Sequence, residues 1–286
     1  MDSRKAIVVT GASSGIGAAC AQALDALGHR VYGTCRDESE RNALDGLVSD
    51  RVTLFPMDIT DDESIARFTA HVAAELDGAG LDGLVNNAGI DVPGPLEFIP
   101  LEQVRRQFDV NVFGLLATTQ ALLPSLRLAR GRIVNISSID GLAVTPFQGA
   151  YGASKHAVEA ISDILRMELA AWDIWVAAVQ PGDIATPIWK KSLALADALL
   201  PTLPDEAHRL YGPMMGAARK TAEAMSKKAK PASTVANAVV HALTSNRPRA
   251  RYMVGLDARL RLALEYLPTR MMDGIILRFL RSGGTK

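Results

Sequence analysis

The chain has 286 residues, of which 48% are apolar and 22% charged, with 31 Lys plus Arg balanced by 31 Asp plus Glu. This length and apolar content suit one large packed domain and exclude a disordered chain. The balanced charge leaves no basic stripe and so excludes nucleic acid as the expected partner. Cys20 and Cys35, the two cysteines, form neither a disulfide framework nor a zinc spacing, and the five histidines form no metal cluster. No metal is expected, and a reducing cytoplasm is the expected compartment.

Short apolar runs then alternate with longer stretches of helical period. Residues 6–10 predict a buried strand, too short for the core of a signal peptide. Residues 15–28 predict a helix with Ile16, Ala19, Cys20, Ala23, Leu24 and Leu27 on one face. Strands are expected at 31–35 and 52–57, then a helix over 62–76 capped by Asp62, then a strand at 81–85. A long helix should run from 101 towards 129, bent or broken at Pro124. A strand at 132–136, a helix over 150–171 and a strand at 174–179 follow. Residues 187–230 look helical but are cut by Pro187, Pro201, Pro204, Pro213 and Gly216; the segment is too long for an ordinary loop and reads as a lid. A helix at 233–243 and a strand at 251–254 complete the pattern. No apolar stretch is expected to reach the roughly 18 residues of a membrane span. The alternation predicts an α/β fold in one domain over 1–286: a doubly wound parallel sheet with helices on both faces and right-handed crossovers.

Thr10-Gly11-Ala12-Ser13-Ser14-Gly15-Ile16-Gly17 joins the first strand to the first helix. Gly11 permits a tight turn with positive φ, and Gly15 and Gly17 carry no side chain to block phosphates from the helix N-terminus. The spacing differs from the commonest dinucleotide fingerprint. At the end of the second strand, where an acid would bind a ribose 2′-hydroxyl, the chain has Cys35 and then Arg36. Arg36 can grip a 2′-phosphate, with Ser13 assisting, so NADP(H) is expected and NAD(H) is the alternative.

Asn135-Ile136-Ser137-Ser138 ends the fifth strand, where open α/β sheets place their chemistry. Tyr151 comes thirteen residues after Ser138 and Lys155 four residues later, so the last two share a helix face. A phenol near pKa 10 is too weakly acidic to serve as a base at neutral pH. A cation about 4 Å away in a partly dry site supplies about the 4 kcal/mol needed to bring it near 7. Lys155 is therefore expected to lower the Tyr151 pKa.

In chain order, Thr10 to Gly17, Asp58, Asn86-Asn87-Ala88-Gly89, Asn111, Ser138, Tyr151, Lys155 and Pro181-Gly182 resemble the short-chain dehydrogenase/reductase family. The resemblance spans about residues 5 to 255 and implies a seven-stranded sheet. It implies a cofactor held by Gly11, Ser13, Ser14, Gly15, Ile16 and Gly17, with Asp58 and Ile59 at the adenine. Asn87, Ala88 and Gly89 would line the adenosine side, and Pro181, Gly182, Ile184 and Thr186 would frame the nicotinamide. Ser138 would bind the substrate oxygen, Tyr151 would be the acid/base, and Asn111 would hold a water relaying protons from Lys155. The implied reaction is hydride transfer between NADP(H) and a secondary alcohol or ketone, in a homodimer or homotetramer. Thr186-Pro187-Ile188-Trp189-Lys190 and Arg251-Tyr252-Met253-Val254-Gly255 resemble the steroid- and retinol-oxidising branch, which implies a hydrophobic substrate. Two other readings stay open: an NAD-preferring dehydrogenase of a small hydroxy acid, and a non-catalytic NADP-binding redox sensor.

Trp189, Leu193, Leu199, Leu200, Leu203, Tyr211, Met214 and Met215, with Val144 and Phe147, are expected to wall an apolar pocket. Residues 256–281 form an extension with an apolar stripe of Leu256, Leu260, Leu264, Leu267, Met271 and Ile275, beside Arg259, Arg261, Arg270, Arg278 and Arg281. The stripe is expected to pack on protein, with weak peripheral membrane contact as the alternative. Pro268 argues against one continuous helix.

Overall fold

The computed structural model describes residues 4–281, and the Arg281 side chain lies outside what is described. β1 (Ala6–Val9), α1 (Gly15–Ala26), β2 (Arg30–Cys35), β3 (Val52–Pro56), α2 (Asp62–Leu76) and β4 (Gly83–Asn86) make the first half of the fold. α3 (Leu101–Phe108), α4 (Leu115–Ala129), β5 (Arg132–Ile136), α5 (Gly149–Glu168), β6 (Trp175–Pro181) and β7 (Ile184–Ala185) follow. The remaining elements are α6 (Pro187–Leu199), α7 (Asp205–Lys228), β8 (Lys230–Pro231), α8 (Ser233–Thr244), β9 (Arg251–Val254), α9 (Leu256–Leu264) and α10 (Thr269–Arg281).

Seven parallel strands form one sheet, as expected, and their order is β3-β2-β1-β4-β5-β6-β9. Its strands are apolar on both faces because helices cover both. Ile7, Val9, Val134 and Val179 pack with Leu24 of α1 and Val239 and Leu243 of α8. Val8, Leu84, Ile133 and Val176 pack with Leu122 and Leu126 of α4 and Leu165 of α5. The order reverses between β1 and β4, and the crevice at the strand C-termini there is where such sheets bind ligands.

Several boundaries differ from expectation. Asp61, not Asp62, caps α2: its carboxylate accepts the Glu63 N–H at 3.0 Å. Pro124 does not break α4, because it faces solvent, where water can satisfy the carbonyl it leaves unpaired. The interruption falls earlier, in a wide π-type turn over Asp109–Gly114 that carries Asn111. The helical run Leu101–Ala129 reaches a mean hydropathy of 1.3 over an 18-residue window, so by length and composition it qualifies as a membrane span, contrary to the expectation. Its Leu115, Leu122 and Leu126 are buried in the fold.

The extension is two helices, divided at Pro268. The expected packing stripe is largely the outward face. Leu256, Leu260, Met271 and Ile275 are exposed, while Ala258, Met272 and Leu280 are buried.

The glycines of the turn are required by the fold itself. Gly11 and Gly15 have φ of +64° and +58°. A Cβ on Gly17 would lie 2.2 Å from the Gly11 carbonyl oxygen and 2.6 Å from Asn87 Nδ2. Gly17→Ala is therefore expected to destabilise the protein by about 1–3 kcal/mol with no cofactor present. Thermal unfolding of the cofactor-free protein checks this, and an unchanged midpoint would return Gly17 to a role in phosphate access alone.

Candidate active site

Side-chain hydrogen bonds lace the C-terminal ends of β1, β2 and β4 together. Thr10 Oγ1 accepts the backbone N–H groups of Asn87 and Ala88 at 2.9 and 3.0 Å. Asn87 Nδ2 donates to the carbonyls of Thr10 and Gly11 at 2.9 and 3.1 Å, and the Gly11 N–H donates to Thr34 Oγ1 at 3.0 Å. Asn87 thus builds the turn as well as lining the cavity beside it. Asn86 stabilises the sheet, donating to Thr119 Oγ1 and Asn135 Oδ1 at 2.9 Å each.

A cavity of ≈ 1110 Å³ runs along this edge, lined by Gly11, Ser13, Ser14, Gly15 and Ile16 at one end and by Ser138, Tyr151 and Lys155 at the other. Ser14 gives α1 no side-chain cap, and no acid occupies its first turn. The first-turn N–H groups and positive dipole end are thus left for a ligand anion. This cradle fits the phosphates of a nicotinamide dinucleotide. Ile59, Ala88, Gly89, Gly182, Ile184 and Thr186 line the same cavity. The Ile184 carbonyl is already engaged, accepting from Trp189 Nε1 at 2.8 Å.

Two expected cofactor residues have other partners as well. Asp58 caps a turn, its Oδ1 accepting from Thr60 N and Oγ1 at 2.9 and 2.7 Å. Ser13 Oγ donates to Glu40 Oε2 at 2.7 Å, and the Arg36 backbone N–H reaches the same oxygen at 3.4 Å. Glu40 escaped the sequence reading because it sits in a short turn five residues past the strand end, where no spacing rule looks. Asp37, adjacent to Arg36, accepts from Ser39.

Ser138 follows β5 with extended backbone, and its Oγ accepts the Asp140 N–H at 3.1 Å. Tyr151 and Lys155 lie on one face of α5, with the ammonium 5.7 Å from the phenol ring centre. Lys155 Nζ donates to the Ile136 carbonyl at 2.8 Å. Burial pushes the Tyr151 phenol well above its ordinary value, and the carboxylates of Asp140 and Asp91 push it further. Ser138 and Arg261 pull it down. The expected lowering by Lys155 is not what dominates here. Burial brings the Lys155 ammonium itself down to about 8. Asn111 has partners of its own. Its amide is committed to the Ile90 backbone, at 2.9 and 3.0 Å, and to Ser154 Oγ at 3.1 Å. It fixes the loop after β4 against α5.

Helix α9 of the extension enters the site, which the sequence reading missed. Arg261 Nη2 meets Asp140 Oδ1, the Ala143 carbonyl and Thr145 Oγ1 at 2.7, 2.8 and 2.8 Å. Asp257 Oδ2 accepts the Asp183 N–H at 2.7 Å. A Cβ on Gly182 would fall 1.8 Å from that oxygen and one on Gly255 2.3 Å from Asp257 Oδ1. Those two glycines were the available signal for a carboxylate nearby.

Of the expected apolar wall, Phe147, Trp189, Leu193, Leu199, Leu200, Leu203 and Met215 line the cavity. Val144 is exposed instead. Tyr211 anchors α7, donating to Glu97 at 2.6 Å and stacking edge-on with Phe98 and Phe147.

The short chain dehydrogenase family model matches residues 5–195, and the chain belongs to that family of oxidoreductases. Within it, the chain falls in the retinol- and steroid-dehydrogenase-like branch. It is 39% identical to human retinol dehydrogenase 16 over 95% of this chain and 87% of that protein. It is 38% identical to human 17-beta-hydroxysteroid dehydrogenase type 6 over 96% of this chain and 88% of that protein. A Burkholderia cenocepacia short chain dehydrogenase solved in complex with NADP superposes with a TM-score of 0.73 at 25% identity, covering 96% and 98% of the two chains.

The Lys155 environment makes a thermodynamic prediction. The folded state holds the ammonium proton to about 8, against an ordinary value of 10.5. Between those values the unfolded chain binds more protons, so stability rises with pH there, and the full penalty applies below about 8. Lys155→Met should therefore raise stability at pH 7 by on the order of 1 kcal/mol, after losing the bond to the Ile136 carbonyl. The gain should shrink as pH rises towards 10. Chemical denaturation across that range checks both sign and trend.

Proposed function

We propose that the protein moves a hydride between NADP(H) and a hydrophobic secondary alcohol or ketone. The supporting observation is that Ser138, Tyr151 and Lys155 share one cavity with the uncapped start of α1 and with the apolar residues of α6 and α7. The bound cofactor supplies the hydride donor or acceptor. In oxidation Ser138 Oγ holds the alcohol oxygen and the Tyr151 phenolate takes its proton. A dinucleotide held by the start of α1 and the segment after β6 would accept the hydride from the carbon, leaving the C–O bond double. Reduction runs the same steps backwards, with Tyr151 donating the proton. Lys155 keeps positive charge beside the phenol, and α6 with α7 acts as a lid that excludes water. The apolar wall of the cavity supports a hydrophobic substrate. With both cysteines free and buried, the enzyme is proposed to act in the cytoplasm, as a homodimer or homotetramer.

Arg36 supports the preference for NADP(H), since a guanidinium can pair with a 2′-phosphate. Glu40 narrows it, because its carboxylate occupies Ser13 and approaches the Arg36 backbone.

Tyr151→Phe should lower turnover by roughly 10²-fold or more with cofactor affinity nearly intact. Arg261→Ala should shift the rising limb of the oxidation pH profile to higher pH, because it removes a charge that lowers the Tyr151 pKa and frees Asp140, which raises it. Near-normal turnover in the first variant, or an unmoved limb in the second, would count against these roles. For the cofactor, Arg36→Ala should weaken NADPH binding about tenfold and spare NADH. Glu40→Gln should tighten NADPH. Titrations with both dinucleotides decide it; equal losses for both in Arg36→Ala would remove the 2′-phosphate contact.

A further inference from the structure

The loop after β4 holds Asp91 more firmly than a connecting loop requires. Gln107 Nε2 donates to the Ile90 carbonyl at 2.6 Å, while its Oε1 accepts the Val92 N–H at 2.7 Å. The Asn111 amide takes the Ile90 N–H and adds a second donor to the Ile90 carbonyl. Both amide side chains are buried. The backbone on each side of Asp91 is therefore fixed, and the carboxylate between them lines the active-site cavity.

That carboxylate has neutral hydrogen-bond partners. Its Oδ2 accepts from Ser192 Oγ of α6 at 2.8 Å. Its Oδ1 is shielded from solvent, and the neutral Gln148 amide lies within hydrogen-bonding reach of the carboxylate. The nearby cations are committed elsewhere: Arg261 to Asp140, and Lys155 to the Ile136 carbonyl. Burial raises the Asp91 pKa to about 6, so the group is mainly ionised at neutral pH. It shares that cavity with Tyr151 and Lys155, and its charge acts on both. A desolvated carboxylate held by neutral hydrogen-bonding groups is costly unless a cation joins it.

We infer that Asp91 receives a protonated amine carried by the substrate near its reacting carbon, so that the enzyme's substrate is an amino alcohol, or the matching amino ketone, with a long apolar chain. This rests on the proposed oxidoreductase activity and specifies its substrate class. An anionic substrate would meet the Asp91 carboxylate, which argues against a small hydroxy acid. A neutral hydroxyl offers one donor. An ammonium offers three, and its bond to a carboxylate is charge-assisted. The apolar chain has a matching path. Ser192, Leu195 and Leu199 follow at i, i+3 and i+7 on α6, and all three line the cavity.

The test pairs 2-aminododecan-3-ol with dodecan-3-ol at about pH 8, using the whole enzyme. Binding is read by calorimetry and oxidation by formation of reduced NADP. The amino alcohol should bind at least tenfold tighter and be oxidised with at least tenfold higher kcat/KM. Asp91→Asn should cut the ratio of the two kcat/KM values at least tenfold, and Ser192→Ala should lower it in the same direction. A merely structural Asp91 would depress both substrates alike and leave the ratio unmoved, which overturns the proposal. So does equal or weaker binding of the amino alcohol by the unmodified enzyme, a measurement that needs no variant to fold. If the amino alcohol binds more tightly but neither alcohol is oxidised, the recognition site stands and the oxidoreductase reading falls.

Discussion

Two charged side chains on α9 hold the loops on which the proposed chemistry depends. Arg261 ties down the segment after β5 through Asp140, the Ala143 carbonyl and Thr145. Asp257 ties down the segment after β6 through the Asp183 N–H. Ser138 stands in the first of these segments and Ile184 and Thr186 follow directly on the second. Loops at strand ends are the most mobile part of such a sheet, and catalysis needs them placed within about half an ångström. A helix that comes from the far end of the chain therefore completes the site. Its cost is written into the sequence as Gly182 and Gly255, where any side chain would strike the Asp257 carboxylate.

The same helix balances charge. Asp91, Asp140, Tyr151 and Lys155 all line one partly dry cavity. Without compensation the two carboxylates would hold the phenol protonated, since each raises its pKa on top of burial. Arg261 neutralises one of them directly. Lys155 is itself weakened by burial, so it cannot do the whole task that a simple tyrosine–lysine pair suggests. The phenol's acidity is thus shared between Ser138, Arg261 and the charge that a bound oxidised cofactor brings. Removing any one member changes the balance for the others, so such effects will not add.

Much of the fold was legible in the sequence because both faces of the sheet are covered, and covered strands read as unbroken apolar runs such as Ile7-Val8-Val9. β5 and β9 matched the expected residues to the end. The candidate catalytic positions could be proposed from sequence because Ser138 comes just after a strand end, with Tyr151 and Lys155 one helical turn apart on α5. What escaped depends on contacts between residues far apart in the chain. Arg261 reaches Asp140 across 121 positions and Ser192 reaches Asp91 across 101. No local pattern marks such pairs. The apolar stripe of the extension misled for a related reason: periodicity identifies a face, but not which side of the helix finds a partner. Pro124 misled because a proline's cost depends on whether its orphaned carbonyl can reach water.

Glycine motifs raise the same issue in sharper form. Gly17 was read as room for phosphate, yet the space beside it is filled by the Gly11 carbonyl and the Asn87 amide. The motif persists in the sequence because the turn must fold tightly onto β4, and the anion site follows from that folding. Once the turn is closed, α1 begins without a cap, and its first N–H groups have no partner in the helix itself. The binding capacity for a dinucleotide is then a consequence of backbone geometry, while the choice between two dinucleotides falls to side chains outside the motif. Arg36 and Glu40 carry opposite charges at that position, and neither is fixed by the packing of the turn. Cofactor affinity and cofactor choice are therefore set by separate parts of the chain, and a change in one need not disturb the other.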